Sequence, residues 1–182
     1  AKSKYNLENK IILLSVGRLT KRKGFDAVIE SLPEILKPAP NLVYVILGNG
    51  EEIDNLKSLI AGLKLEKSVI IITGATDEEK NTWFDLSDIF IMPAKNIAGD
   101  FEGFGIVYLE ANLAGKPVIA GSSGGVGDAV IDGLNGLMVD PEDNGQIASA
   151  VVKLTQNQDL RKKLGEQGRL RAINEFKWEK QI

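Results

Sequence analysis

The chain has 182 residues, 43% of them hydrophobic, with 22 Lys and Arg against 25 Asp and Glu and with no Cys or His. This length and apolar content suit one well-packed α/β domain and exclude disordered, collagen-like and disulfide-stapled proteins. Without His and Cys, there is no Ser-His or Cys-His nucleophile, thiolate redox site or His or Cys metal ligand. With a net charge of -3 the domain repels polyanions, so nucleic-acid binding would need a strong local basic stripe. Only a short one is present, and nucleic acid is not an expected partner.

The cellular location is expected to be cytoplasmic. No apolar run approaches the roughly 18 to 20 residues of a membrane-spanning helix, and the lysine-bearing start lacks the apolar core of a signal peptide. The absence of Cys agrees with a reducing compartment. The numbering opens at Ala1 without an initiator Met, which suggests a processed or excised piece.

Short apolar runs alternate with longer segments of helical period, which predicts βαβ units on a buried parallel sheet. Six strands are predicted, at Ile11–Val16, Leu42–Leu47, Ser68–Ile72, Ile89–Met92, Pro117–Ala120 and Gly136–Val139. Helices are predicted over 25–37, 51–63, 103–115, 143–155 and 158–176. The last of these carries two glycines, which are poor helix formers. A further helix is predicted to begin at a capping box formed by Thr76 and Glu79. The fold class is therefore α/β, one domain with a Rossmann-like parallel six-stranded sheet and helices on both faces.

Glycine-rich loops follow several predicted strands. Gly17 follows the first strand, Gly48 and Gly50 the second, Gly74 the third, and the run 121–127 the fifth. One such glycine can serve a tight turn. Because the carboxyl ends of parallel strands meet at one edge, the loops together favour a phosphate-bearing ligand held by backbone N–H groups and a helix N-terminus.

The usual nucleotide fingerprints are missing. The loop 48–53 has Ile53 where a dinucleotide-binding loop has its third glycine, and no stretch matches the P-loop. Binding of NAD and hydrolysis of ATP are therefore disfavoured. No two aspartates are separated by one residue, so the two-aspartate metal clamp of many metal-dependent sugar transferases is missing as well.

Two charged motifs flank these loops. The first loop, 17–24, carries four cations before a helix and is either a solvated basic turn or a diphosphate clamp. In a clamp, Arg18 can donate hydrogen bonds to two phosphate oxygens at once, and Lys23 acts as a point charge. The second motif holds Glu102 and Glu110, about two helical turns apart, which face one crevice if the helix begins at Gly103. Two carboxylates at this spacing on a helix usually lie on the protein surface. Here, however, Glu102 adjoins glycines at a helix start, and Glu110 falls among apolar residues.

Together these motifs resemble the C-terminal, donor-binding domain of a retaining GT-B glycosyltransferase. The nearest family by motif is glycosyltransferase family 4, the group 1 glycosyl transferases, which includes mannosyl-, glucosyl- and galactosyltransferases and sucrose-phosphate synthase. The resemblance covers about Ile11 to Trp178 and rests on the order and spacing of several motifs. They are Gly17-Arg18 with Lys23-Gly24, Gly48-x-Gly50, EGFGIVYLE at 102–110, PVIA at 117–120, the glycine run and Asp132-Gly133-x-x-Gly136.

The resemblance implies a hexose transfer from a nucleotide sugar (UDP-, GDP- or ADP-linked) to an acceptor hydroxyl, with retention and without a metal or other cofactor. It implies that Arg18 and Lys23 hold the diphosphate, that Glu102 meets the sugar hydroxyls, and that Glu110 takes the ribose hydroxyls. Glu102, Arg18 and Lys23 are the residues implied to be catalytic. The implied donor-binding set is Gly17, Arg18, Lys23, Gly48, Gly50, Glu102, Gly103, Phe104, Gly105 and Glu110.

The chain also departs from the family pattern. Many relatives have Glu where Asp128 stands, so Asp128 is left out of the site, and the unusual loop Lys95 to Asp100 is expected to adjust sugar choice. The N-terminal acceptor domain, which commonly supplies a His, is expected to be missing, so this chain alone should transfer no sugar. The segment 176–179 resembles the start of the terminal crossover helix, cut short. Peripheral membrane attachment of the full enzyme stays open.

Two other interpretations stay open. The chain could be a non-catalytic nucleotide-sugar-binding module that kept the fold. It could also be a fragment of a GT-B nucleotide-sugar epimerase, although that class is expected to use a different arrangement of Glu and His. A phosphorylase is disfavoured, because it needs pyridoxal phosphate on a lysine of a longer domain.

Overall fold

The computed structural model describes residues 3–99, 105–122 and 124–175. The strands are β1 Ile11–Val16, β2 Leu42–Leu47, β3 Val69–Ile72, β4 Ile89–Met92, β5 Val118–Gly121 and β6 Gly136–Val139. They form one sheet in the order β3-β2-β1-β4-β5-β6, and neighbouring strands are parallel. The Rossmann-like sheet is confirmed, with β3 one residue shorter than predicted and β5 shifted by one residue.

Seven α-helices are described. They are α1 Phe25–Leu36, α2 Ile53–Gly62, α3 Asp77–Leu86, α4 Ile106–Leu113, α5 Val126–Ala129, α6 Asn144–Gln156 and α7 Gln158–Glu175. A 3-10 turn, Lys21–Lys23, precedes α1. The predicted start of the fourth helix at Gly103 is wrong, because Gly105 is left-handed (φ 71°) directly before Ile106. The short helix α5 was not predicted.

Helices cover both faces of the sheet, as predicted. Along β1 the side chains alternate: Leu13 belongs to the core under α1 and α6, whereas Ile12 and Leu14 belong to the core under α3 and α4. All three are fully buried. Burial on both sides explains why the strands appear in the sequence as nearly continuous apolar runs.

The glycines of α7 bring that helix against α4. A Cβ at Gly165 would lie 2.1 Å from the Gly115 carbonyl oxygen, and one at Gly168 would lie 2.4 Å from Asn112 Nδ2. Since neither position can hold a side chain at this distance, both glycines are explained by close helix packing. Their poor helix propensity is offset by the tertiary contact.

A buried amide pair ties α4 to the loop before β6. Asn135 Nδ2 donates to Asn112 Oδ1 (2.7 Å) and to the Ala129 carbonyl (2.8 Å), while Asn135 Oδ1 accepts from the Ile131 N–H (2.7 Å). Both asparagines are fully buried, and hydrogen bonds to each satisfy groups that would otherwise be costly to bury. Asn135, at one of the two unspecified positions of the motif at 132–136, therefore has a structural role.

The capping box of α3 is confirmed and supports a stability prediction. Thr76 Oγ1 accepts from the Glu79 N–H (3.2 Å), and Glu79 Oε2 accepts from the Thr76 N–H (2.9 Å). We expect Thr76→Ala to lower the free energy of unfolding by about 1 kcal/mol, measured by urea denaturation. Thr82→Ala, which removes an exposed hydroxyl from the interior of the same helix, is the control and should cost clearly less. Equal losses would contradict the capping role.

The same cap should depend on pH. The hydrogen bond from the Thr76 N–H lowers the pKa of the Glu79 carboxyl. The pKa of Glu79 is lower in the folded than in the unfolded chain. The hydrogen bond of Glu79 therefore contributes to the free energy of unfolding above the ordinary pKa of Glu, and this contribution is lost as the pH falls through the lowered value.

Candidate functional site

A crevice lies at the carboxyl ends of β1 and β2, between the amino ends of α3 and α4. It consists of two adjoining clefts of about 340 and 420 Å³ that share Val16, Gly17 and Lys80. The first cleft is further lined by Arg18, Leu47, Gly48, Asn49, Gly74 and Ala75. The second is further lined by Lys23, Gly105, Ile106, Val107 and Glu110. The crevice adjoins the point between β1 and β4 where the strand order reverses, the usual ligand position of such sheets.

Most of the predicted site residues that the structure describes meet in this crevice. They are Gly17, Arg18, Lys23, Gly48, Gly105 and Glu110. Gly50 is not among the residues that line these two clefts. Glu102, Gly103 and Phe104 lie outside the described residues. The roles of all the predicted site residues stay predictions.

The glycines of the first two loops let the β1 and β2 ends run side by side. A Cβ at Gly48 would lie 1.9 Å from the Gly17 carbonyl oxygen, and a Cβ at Gly50 would lie 2.4 Å from the Leu19 carbonyl oxygen. Leu19 N donates to the Asn49 carbonyl (2.9 Å), which fixes the same approach. The position of Gly50 is thus explained by loop packing.

The predicted cations enter the crevice from the first loop. Arg18 is exposed, and its Nη2 lies 3.9 Å from Glu51 Oε2. A long, exposed ion pair of this kind contributes little, so an anionic ligand can compete with Glu51 for the guanidinium. Lys23 ends the turn Lys21–Lys23 and lines the second cleft.

The first loop is fastened to the segment after β4. Gly24 packs against Pro93, and Lys95 N donates to the Arg22 carbonyl at 2.6 Å. Lys95 Nζ lies 3.4 Å from Asp26 Oδ2, with both side chains mostly buried. The loop that carries the cations is therefore held at a fixed distance from the chain that leads towards Glu102.

Sequence reasoning missed Lys80, the partner of Glu110. Lys80 Nζ donates to Glu110 Oε1 at 2.7 Å and lies 3.7 Å from Asp77 Oδ1. The hydrogen bond to Glu110 raises the pKa of Lys80. The apolar surroundings expected for Glu110 are corrected here, because its side chain is 34% exposed and pairs with a cation. The capping box at Thr76 is the signal that could have found Lys80, since it starts α3 at the edge where the glycine loops meet.

The amino end of α4 completes the second cleft. Gly105 turns the chain into the helix, and Ile106 and Val107 follow it along the cleft wall. The first backbone N–H groups of a helix have no partner within the helix, and they carry the positive end of its dipole. This position suits an anion such as a phosphate.

The chemistry of the crevice is that of a site for phosphate and hydroxyl groups. Cations and helix N–H groups match phosphate oxygens, and a carboxylate accepts hydrogen bonds from a diol. Across residues 3–99, 105–122 and 124–175, the acidic side chains form no group of three or more that could hold a metal ion. No helix in those ranges combines the length and apolar character that crossing a membrane requires.

Comparison with known proteins identifies the family. Residues 1–171 match the family described as glycosyl transferases group 1. A curated relative, the GDP-mannose-dependent alpha-(1-6)-phosphatidylinositol monomannoside mannosyltransferase of Mycolicibacterium smegmatis, is 34% identical over 179 residues. The match covers 97% of this chain and 47% of the relative, so the chain spans about half the length of that protein.

Solved structures share the fold. The C-terminal domain of a group 1 glycosyl transferase from Francisella tularensis is 25% identical with a TM-score of 0.81, over 97% of this chain and 93% of that one. The Anabaena protein HepE in complex with UDP is 22% identical with a TM-score of 0.83, over 94% of this chain and 46% of that one. On the family match and the shared architecture, this chain belongs to the group 1 glycosyl transferases and corresponds to their C-terminal domain.

Proposed function

We propose that the chain is the donor-binding domain of a glycosyltransferase that moves a hexose from a nucleoside diphosphate sugar to an acceptor hydroxyl with retention. The observation that supports this best is the convergence of Arg18, Lys23, the amino end of α4 and Glu110 on one crevice. A diphosphate needs cations and N–H groups, and a ribose needs a hydrogen-bond acceptor, so one nucleoside diphosphate satisfies all four.

In this proposal the diphosphate is the leaving group. Arg18, Lys23 and the amino end of α4 stabilise the negative charge that develops on it as the bond to the sugar breaks. Glu110 fixes the ribose, and Glu102 takes the hydroxyls of the sugar, an assignment that rests on the sequence motif. The reaction needs no metal in this scheme, since positive charge comes from the protein itself.

The identity of the donor can be narrowed by the relatives. The Mycolicibacterium smegmatis relative is named for GDP-mannose, and the Anabaena structure contains UDP. We propose GDP-mannose as the first donor to test, because the GDP-mannose-dependent protein is the more similar in sequence. The same proposal has three further parts. A separate N-terminal half of the enzyme binds the acceptor, this chain alone transfers no sugar, and the enzyme is cytoplasmic. Membrane association of the complete enzyme is left outside it.

The division between Glu102 and Glu110 gives a test. We expect Glu110→Gln to weaken the binding of GDP and of GDP-mannose alike, by about 1 to 2 kcal/mol, because the ribose is common to both ligands. Glu102→Gln should weaken the binding of GDP-mannose and leave the binding of GDP unchanged, because only GDP-mannose carries the sugar. Isothermal titration calorimetry of both variants with both ligands measures this.

A matched control is Glu34→Gln, which removes a carboxylate from an exposed ion pair with Lys37. It should bind both ligands as the unaltered chain does. If Glu102→Gln weakens GDP as much as GDP-mannose, the assignment of Glu102 to the sugar is wrong.

A further inference from the structure

Lys80 occupies the junction of the crevice. It lines the first cleft together with Gly48 and Gly74, and the second together with Glu110. Its side chain is 26% exposed, so the ammonium group lies at the crevice wall and is partly shielded from water. Any ligand that fills both clefts passes over this group.

The charge of Lys80 is already balanced by carboxylates from two helices. Asp77 of α3 is 3.7 Å away and exposed, whereas Glu110 of α4 is 2.7 Å away and only partly exposed. The shorter contact is a charge-assisted hydrogen bond, which fixes both side chains. The other cations that face the crevice, Arg18 and Lys23, come from the first loop and line one cleft each.

We propose that Lys80 is a positioning residue that holds Glu110 by Oε1 and so turns Oε2 towards the hydroxyls of the donor ribose. The inference rests on the proposed function, since it assigns the ribose to Glu110. A carboxylate has two oxygens, and an unrestrained Glu samples several rotamers that must be given up on binding. The ion pair takes up one oxygen and removes that freedom before the ligand arrives.

A direct role of Lys80 as a diphosphate ligand is less well supported. An ammonium between two carboxylates has to give up an existing partner before it can bind a phosphate. Arg18, with its long contact to Glu51, gives up less. The two roles differ in the ligand they affect, because inorganic pyrophosphate has no ribose.

The experiment compares Lys80→Met and Lys80→Arg in this chain by calorimetry with GDP, 2′-deoxy-GDP and inorganic pyrophosphate. We expect Lys80→Met to weaken GDP binding roughly tenfold, because Glu110 is no longer held in position for its hydrogen bond to the ribose. Lys80→Arg should restore most of the loss, since it keeps the charge and the donors. Pyrophosphate should bind equally to all three chains, and the preference for GDP over 2′-deoxy-GDP should shrink in Lys80→Met.

Two further chains make the test specific. Asp77→Asn is the matched control, because it removes the exposed carboxylate and leaves the pair with Glu110; GDP binding should not change. In a Glu110→Gln background, Lys80→Met should have little further effect, because Lys80 acts through Glu110. Thermal unfolding of each variant checks that the fold is kept.

The outcomes separate the inference from the proposed function. A loss of pyrophosphate binding in Lys80→Met, or an undiminished effect in the Glu110→Gln background, would overturn the positioning role alone. So would GDP binding that Lys80→Met leaves unchanged. No binding of GDP, UDP or ADP by the unaltered, folded chain would overturn the proposed function itself.

Discussion

Alanine at Arg18 or at Lys23 is expected to weaken nucleoside diphosphate binding by about 1.5 to 3 kcal/mol, roughly 10- to 150-fold in Kd. Both side chains line the crevice, and each would lose a charge-assisted hydrogen bond to the diphosphate. Isothermal titration calorimetry with the nucleoside diphosphate that binds the parent chain measures the effect. Because both ligands contain the diphosphate, the binding of nucleoside diphosphate and of nucleotide sugar should be weakened alike.

Lys37→Ala is the matched control for this prediction. It removes one positive charge at the far end of α1, where Lys37 is exposed and pairs with Glu34 at 2.7 Å. A general electrostatic effect of lowering the charge would appear in this variant too, whereas a specific clamp would not. Unchanged affinity in both Arg18→Ala and Lys23→Ala would remove the diphosphate assignment.

Gly24→Ala is expected to lower the free energy of unfolding by about 2 to 5 kcal/mol. Gly24 is left-handed, with φ at 76°, and a Cβ there would lie 2.1 Å from the Pro93 carbonyl oxygen. The variant therefore combines backbone strain with a clash against the backbone. Because Gly24 ends the cation-bearing loop, ligand binding should weaken as well.

Gly133→Ala separates strain from crowding. Gly133 has nearly the same φ, 74°, but no atom lies within 4 Å of the position a Cβ would take. We expect this variant to lose only the strain, about 1 to 2 kcal/mol. Chemical denaturation of both variants gives the comparison, and equal losses would show that the contact with Pro93 has no energetic weight.

The sheet could be predicted from the sequence because its strands are buried on both faces. Leu42–Leu47 is an unbroken hydrophobic run and Ile11–Val16 is interrupted only by Ser15, and the structure gives both with the predicted bounds. The start of α4 could not be predicted, because helical period does not show that Gly105 adopts a left-handed conformation. The four residues of α5, Val126–Ala129, are too few for a periodic pattern.

The candidate site was predictable where local sequence determines it. Gly17, Arg18 and Gly48 follow strands directly, so the parallel sheet places them at one edge. Lys80 was not predictable in the same way, because a polar residue in the first turn of a helix usually faces solvent and its partner Glu110 is 30 residues further along the chain. The buried pair of Asn112 and Asn135 was missed for the same reason, since the contact joins separate elements.

Calorimetric titration of the folded chain with GDP, UDP and ADP shows whether this chain alone forms a nucleoside diphosphate site. Both clefts of the crevice are lined by residues of this chain, including Arg18 and Lys23 of the first loop and Glu110 of α4. We expect saturable binding of at least one of the three at one site per chain, with the affinity reduced in Arg18→Ala. The absence of binding by all three, in a chain whose circular dichroism shows the native fold, would show that this chain alone forms no such site.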